Sequence, residues 1–389
     1  MQHRTWHRLG LTLAAVAVLF AVAQAQEPYR VGLSAALTGR GAETYAPVSE
    51  AIRLYVARLN ARGGIHGHPV ELLVEDNVAE PSRAAAHAKK FVSQDGVLLM
   101  LNASLSSTYP PMIHEAKRAG VPLFFAGSVC PREVYPPADP LLFCSTAFAA
   151  RYDSEFALDF IKETAAGPVK LALVSMSIPI SRGEVDYAEQ LAPSRGIEPV
   201  SNQSIPPPTP NYAPFAAKIK AAGATWVYAW APWVTQVKTF EALRQLGWQG
   251  KFLAYAHINA EEELARLQDE HFYVFGANAF FSHNLPVHQE ILQAAAQGTM
   301  HPPTQLAEGW VAGMVLEAVL AGVSWPPTPA KVLAAMNRVR VDTRGLRGGP
   351  LEWTPTNHFR TTHYYRVYRW DRRQQGAVLA KDWTAVAIK

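Results

Sequence analysis

Cysteine is nearly absent. The 389 residues carry two, Cys130 and Cys144, and no C-x-x-C pair, which removes dithiol redox chemistry. Also missing are G-x-S-x-G, H-E-x-x-H and a phosphate-binding loop, so no catalytic group is assigned and the chain is read as a non-enzyme. An exported hydrolase survives only through some unmarked constellation. Charge of one sign is scarce. Lys and Arg number 36 against 32 Asp and Glu, and removing Arg4 and Arg8 leaves an excess of about two. Nothing in that balance calls for nucleic acid. Past the first 25 residues no apolar run is long enough to span a bilayer.

What is there begins with MQHRTWHRLGLTLAAVAVLFAVAQAQ. Arg4 and Arg8 make a basic start, an apolar stretch follows, and Ala23-Gln24-Ala25 is a small-residue cleavage pattern. This reads as a secretory signal peptide over residues 1–25. Without a cysteine at the cleavage point no lipid anchor is expected. The mature chain should start near Gln26, soluble and periplasmic. Export permits a disulfide. The Pro-rich loop PREVYPPADPLLF between the cysteines favours a Cys130–Cys144 bridge over two buried thiols, contributing on the order of 3 kcal/mol.

The organisation is an alternation. YRVGLSAAL, PVELLVEDN, GVLLML and VPLFFAG read as strands, separated by helical segments such as YAPVSEAIRLYVARLNARGG and YPPMIHEAKRAG. Strands that are apolar throughout point to a parallel sheet covered on both faces. The pattern repeats from RYDSEFALDFIKETA through VKLALVSMS, ATWVYAWAPW and KFLAYAH. A third block, about 278–354, contains the long helix TQLAEGWVAGMVLEAVLAG. The expected fold class is α/β, with two doubly wound parallel-sheet lobes. HYYRVYRW near the end alternates as an exposed strand does.

One stretch raises a specific question. GVLLML runs into LNASLSSTYPPM, so a buried strand ends in Ser104, Ser106, Ser107 and Thr108 just before a helix with early prolines. Open parallel sheets bind ligands beyond the carboxyl ends of their strands. Hydroxyls and N–H groups at a helix start favour an anion, most simply a small carboxylate. The plainer alternative is an N-cap with no ligand. Other features stay structural. TGRGAET lacks the third glycine of a dinucleotide loop. His66-Gly67-His68 has no third ligand, so no metal and no cofactor are assigned.

Taken together, VGLSAALTGRGAETYAPVSEAIRLYVARLNARGGIHGHPVELLVEDN, with its N-A-R-G-G-I-x-G helix end and acidic Asp76, and NYAPFAAKIKAAGATWVYAW further on, resemble the branched-chain amino-acid-binding proteins. These are type I periplasmic solute receptors of ABC transporters. The resemblance covers essentially the whole mature chain. It implies two lobes joined by a three-strand hinge, with 27–146 plus 278–354 as lobe one and 147–277 plus 355–389 as lobe two. It also implies a small-molecule ligand, a membrane permease as partner, and a monomer.

By the same resemblance, the serine loop that holds the ligand carboxylate matches Ala103, Ser104, Leu105 and Ser106. The next loop matches Gly127 and Ser128, and the first-strand loop brings Thr44 and Tyr45. The second lobe brings Arg182, where the family has an aromatic, then Trp230 and Trp233, and His257. Amino-acid-binding members place a carboxylate near Ala256 and His257 for the ligand ammonium. None stands here before Glu261. A buried ammonium without a partner costs several kcal/mol, so the expected ligand is an aromatic or apolar carboxylate. The alternatives are a branched-chain amino-acid or amide receptor, or a ligand-sensing subunit of the same fold.

Overall fold

The computed structural model describes residues 26–256 and 260–389. The proposed signal peptide and His257 lie outside them.

Two sheets organise the chain. The first has five strands, all parallel, in the order Val70–Asp76, Tyr29–Ala35, Leu99–Ala103, Leu123–Phe125, Leu142–Cys144. The residues of Tyr29–Ala35 divide between two faces, as the strand period requires. Val31, Leu33 and Ala35 enter one core together with Ile52 and Trp310. Gly32 faces the other way, where a Cβ would come 2.6 Å from the Phe91 ring. Helices Ala42–Ala61 and Ala307–Ala321 cross closely on the first face, because Gly309 lets the backbone of Val48 approach; a Cβ there would sit 2.1 Å from the Val48 carbonyl. Helix Ala307–Ala321 is buried almost all round, which explains its lack of a polar stripe.

The second sheet has seven strands, in the order Gly376–Ala387, Thr362–Asp371, Phe272–Gly276, Lys251–Tyr255, Trp226–Trp230, Val169–Met176, Ile197–Ile205. The last five are mutually parallel; the C-terminal hairpin adds antiparallel to Phe272–Gly276. HYYRVYRW belongs to that hairpin but is not exposed. His363, Tyr365 and Val367 are fully buried, because the strand pairs on both sides and packs one face into the core. Its arginines are engaged within the protein. Arg366 lies over the Trp383 ring and pairs with Asp382, while Arg369 pairs with Asp371.

The chain passes between the two lobes at a polar junction. Glu308 is buried and accepts from the Ala147 N–H at 3.0 Å, the Asn278 amide at 3.0 Å and Arg347 Nη2 at 2.8 Å. One carboxylate thus joins segments far apart in sequence. Cys130 and Cys144 are bonded to each other. The bond ties the loop after Leu123–Phe125 to the last strand of the first sheet.

Candidate functional site

The parallel strands of both lobes end at one cleft. Strand Tyr29–Ala35 leads to helix Ala42–Ala61, and Leu99–Ala103 leads through the turn Ser106–Thr108 to Tyr109–Ala119. In the second lobe Val169–Met176 leads to Pro179–Leu191, and Trp226–Trp230 leads to Trp233–Gln245. None of the four helices starts with a side-chain cap. Gly41, with φ of 85°, opens the first, and prolines open the other three. Pro110, Pro111 and Pro179 bring no N–H, and the Thr44, Tyr45 and Thr235 N–H groups already bond the Gly41 and Pro232 carbonyls, so what these starts offer the cleft is mainly the positive end of each helix dipole.

The cleft is open to solvent and holds a cavity of about 80 Å³. Thr44, Tyr45, Leu105, Ser106, Tyr109 and Val129 form the first-lobe wall. Phe148, Ile178, Ile180, Trp230, Trp233 and Tyr255 form most of the second. No Lys, Arg or His lines it among the described residues, and its one acidic lining residue, Glu43, is exposed. The described lining is therefore aromatic and apolar, without a basic side chain.

Of the residues expected from sequence, Thr44, Tyr45, Leu105, Ser106, Trp230 and Trp233 meet at this cleft. Others lie elsewhere. Ser104 and Ser128 are fully buried behind the wall. Ser104 donates to Asn77 Oδ1 at 2.8 Å, and Ser128 donates to Asn102 Oδ1 at 2.6 Å while accepting from the Ser104 N–H at 2.9 Å. Their hydroxyls are used up inside the lobe. Ala103 is a buried strand residue whose carbonyl accepts from the Ala36 N–H at 3.0 Å. Gly127 is a packing glycine, since a Cβ would lie 2.4 Å from Val48. Arg182 is exposed on the first turn of its helix and does not line the cleft. His68, of the His66–His68 pair, stacks on Trp325 at 3.5 Å.

Sequence reasoning did not name Tyr109, Val129, Phe148, Ile178 and Gln236 as cleft residues. Gln236 grips Tyr255 from both backbone sides. Its Oε1 accepts from the Tyr255 N–H at 2.8 Å and its Nε2 donates to the Tyr255 carbonyl at 3.0 Å. Phe148 stacks on the Tyr255 ring at 4.8 Å.

Behind Trp230 lies a buried acid pair. Asp153 accepts from Trp230 Nε1 at 3.0 Å, from the Tyr365 hydroxyl at 2.6 Å and from the Ala149 N–H. Burial pushes its carboxyl up to about 7, against the pull of those hydrogen bonds. Glu184 accepts from the Ser154 hydroxyl and N–H, and burial together with the Asp153 charge pushes it up to about 8. Both residues support the wall without lining it.

The sequence profile of the periplasmic binding protein family matches residues 28–377. An amino-acid-binding protein of Pseudomonas aeruginosa is 22% identical over 80% of this chain and 82% of its own length. A solute-binding protein of an ABC transporter from Rhodopseudomonas palustris BisB5, solved with 3,4-dihydroxybenzoic acid, superposes with a TM-score of 0.77 at 17% identity, over 93% of this chain and 98% of that one. A branched-chain amino-acid ABC transporter protein from Thermus thermophilus, solved with valine, gives 0.79 at 16% identity, with coverage of 93% and 98%.

Proposed function

The chain belongs to the periplasmic binding protein family, in its type I, Leu/Ile/Val-binding-like branch, and from that premise we propose that it captures a small aromatic or apolar carboxylate between its lobes and presents it to the permease of an ABC transporter. The observation that carries this is an aromatic cleft set at the positive ends of four helices, with no charged side chain among its described lining residues except the exposed Glu43. The positive dipole ends favour an anion. The rings offer stacking surface to an apolar body. Closure of the lobes, 27–146 plus 278–354 against 147–277 plus 355–389, buries the ligand and supplies affinity.

The basic-then-apolar start with its Ala-Gln-Ala pattern supports export to the periplasm. No helix among the described residues is long and apolar enough to cross a membrane. The rival reading, an amino-acid receptor, rests on Glu43. An ammonium paired there in solvent gains only about 0–1 kcal/mol.

Isothermal titration with benzoate and with leucine tests the proposal. Benzoate binding with little or no leucine binding is expected. Micromolar leucine with nothing from benzoate restores the amino-acid receptor.

A further inference from the structure

Four of the polar side chains lining the cleft are already committed. The Tyr109 hydroxyl donates to the Val129 carbonyl at 2.7 Å, and the Ser181 hydroxyl donates to the Trp230 carbonyl at 2.6 Å. Trp230 donates to Asp153, and the Gln236 amide is held at both its atoms. Tyr255 differs. It is 2% exposed, and its hydroxyl has no partner among the described residues. A buried hydroxyl left unsatisfied costs about 1–3 kcal/mol, and such a group in a native protein calls for a reason.

The ring cannot turn to find a partner. Phe148 lies parallel to it, tilted by 19°, and Phe275 meets it edge-on at 5.2 Å. The backbone is clamped by Gln236. Burial holds the phenol well above its usual value, so it stays a neutral donor. Its surroundings also select what it takes. Tyr255 ends strand Lys251–Tyr255, which does not feed any of the four helix starts at the cleft. It is packed among Phe148, Trp230 and Phe275, with the Asp153 carboxyl behind Trp230. Buried charges of both signs act on this hydroxyl, Asp153 and Glu308 against Arg347 and Arg360, so it is the surrounding rings that favour a neutral oxygen over an unpaired charge.

We propose that the Tyr255 hydroxyl donates to a second, uncharged oxygen on the ligand, distinct from its anionic group, so that the site prefers a ring-hydroxylated aromatic acid to the unsubstituted one. This rests on the aromatic-carboxylate reading above. Fixing the donor in advance lets the ligand gain the bond without ordering the protein, and an analogue lacking the oxygen leaves the hydroxyl unpaired.

The test is titration of the wild-type protein and Tyr255→Phe with benzoate, 3- and 4-hydroxybenzoate, and the matching methylbenzoates. The wild type should bind the better hydroxybenzoate about tenfold more tightly than benzoate. Tyr255→Phe should erase that preference, weakening the hydroxybenzoate about tenfold more than benzoate. A preference that persists in the variant overturns the assignment, as does equal loss of benzoate and hydroxybenzoate, which would place the hydroxyl on the carboxylate. Should the variant fail to fold, the wild type still decides: a methylbenzoate as tight as its hydroxy counterpart overturns the proposal. Benzoate binding without a hydroxyl preference defeats only this inference, whereas binding of no aromatic acid defeats the aromatic-carboxylate reading and this inference with it.

Discussion

In the first lobe, polar side chains at the strand ends are bonded to one another; across the cleft, a tyrosine at a strand end is bonded to none. Ser34, Asn77, Asn102, Ser104 and Ser128 form a continuous network. Asn77 Nδ2 donates to Ser34 at 3.0 Å, and Asn102 Nδ2 reaches Thr108 at 3.1 Å. Every member is fully buried. Tyr255 is equally buried and lacks a partner among the described residues. The difference teaches that a hydroxyl at a strand end has no fixed role. A satisfied one rigidifies the scaffold, and an unsatisfied one is available to a ligand.

Breaking the closed network should have the largest effect. Asn77→Ala leaves the Ser104 hydroxyl, the Ser34 oxygen and the Ala79 N–H without their present partner. The expected loss is about 3 kcal/mol, read by urea denaturation. A loss under about 0.5 kcal/mol would mean the network is not cohesive. The second-lobe wall is supported differently, by acids that titrate. Asp153 and Glu184 have folded values raised above their unfolded ones. The native state therefore holds more protons, and stability falls as pH rises from about 4 through about 8. Stability should decline between pH 5 and pH 8, and Glu184→Gln should flatten the decline. Identical pH slopes in both proteins would remove Glu184 from the account.

Ser104→Ala and Ser106→Ala sharpen the contrast on a smaller scale. Ser104→Ala should cost about 1–2 kcal/mol of stability with its main effect on folding. Ser106→Ala should weaken ligand binding by about 1 kcal/mol and leave the urea midpoint unmoved. Reversal of the two patterns would exchange their roles. The smallest effect belongs to Arg182→Ala. An exposed residue away from the cleft should change stability by less than about 0.5 kcal/mol, and benzoate affinity should stay put in titration.

The alternation of strands and helices was legible because parallel strands buried on both faces are apolar throughout. Ile197–Ile205 escaped for the opposite reason. It is a sheet-edge strand carrying Asn202, Gln203 and two serines, and no apolar run marks it. Leu142–Cys144 has only three residues, too few for a period to show. At the site, the loops could be located because ligands gather beyond strand ends, yet which side chains face the cleft could not. Ser104 and Ser106 are two residues apart. The chain enters a 3-10 turn between them, so the strand period no longer says where each side chain points. The Asp153–Trp230 bond spans 77 positions, and no local pattern encodes it. The orphaned state of Tyr255 is a property of its neighbours rather than of its sequence.

The disulfide has a mechanical meaning. Val129, on the cleft wall, is followed directly by Cys130. Cys130 is bonded to Cys144, and both sulfurs contact the Thr146 hydroxyl, one residue before Ala147 meets Glu308. A stiff strut therefore runs from the ligand's side of the lobe to the point where the chain leaves it. The covalent link and its Thr146 contacts leave Val129 and Ala147 little freedom to move apart.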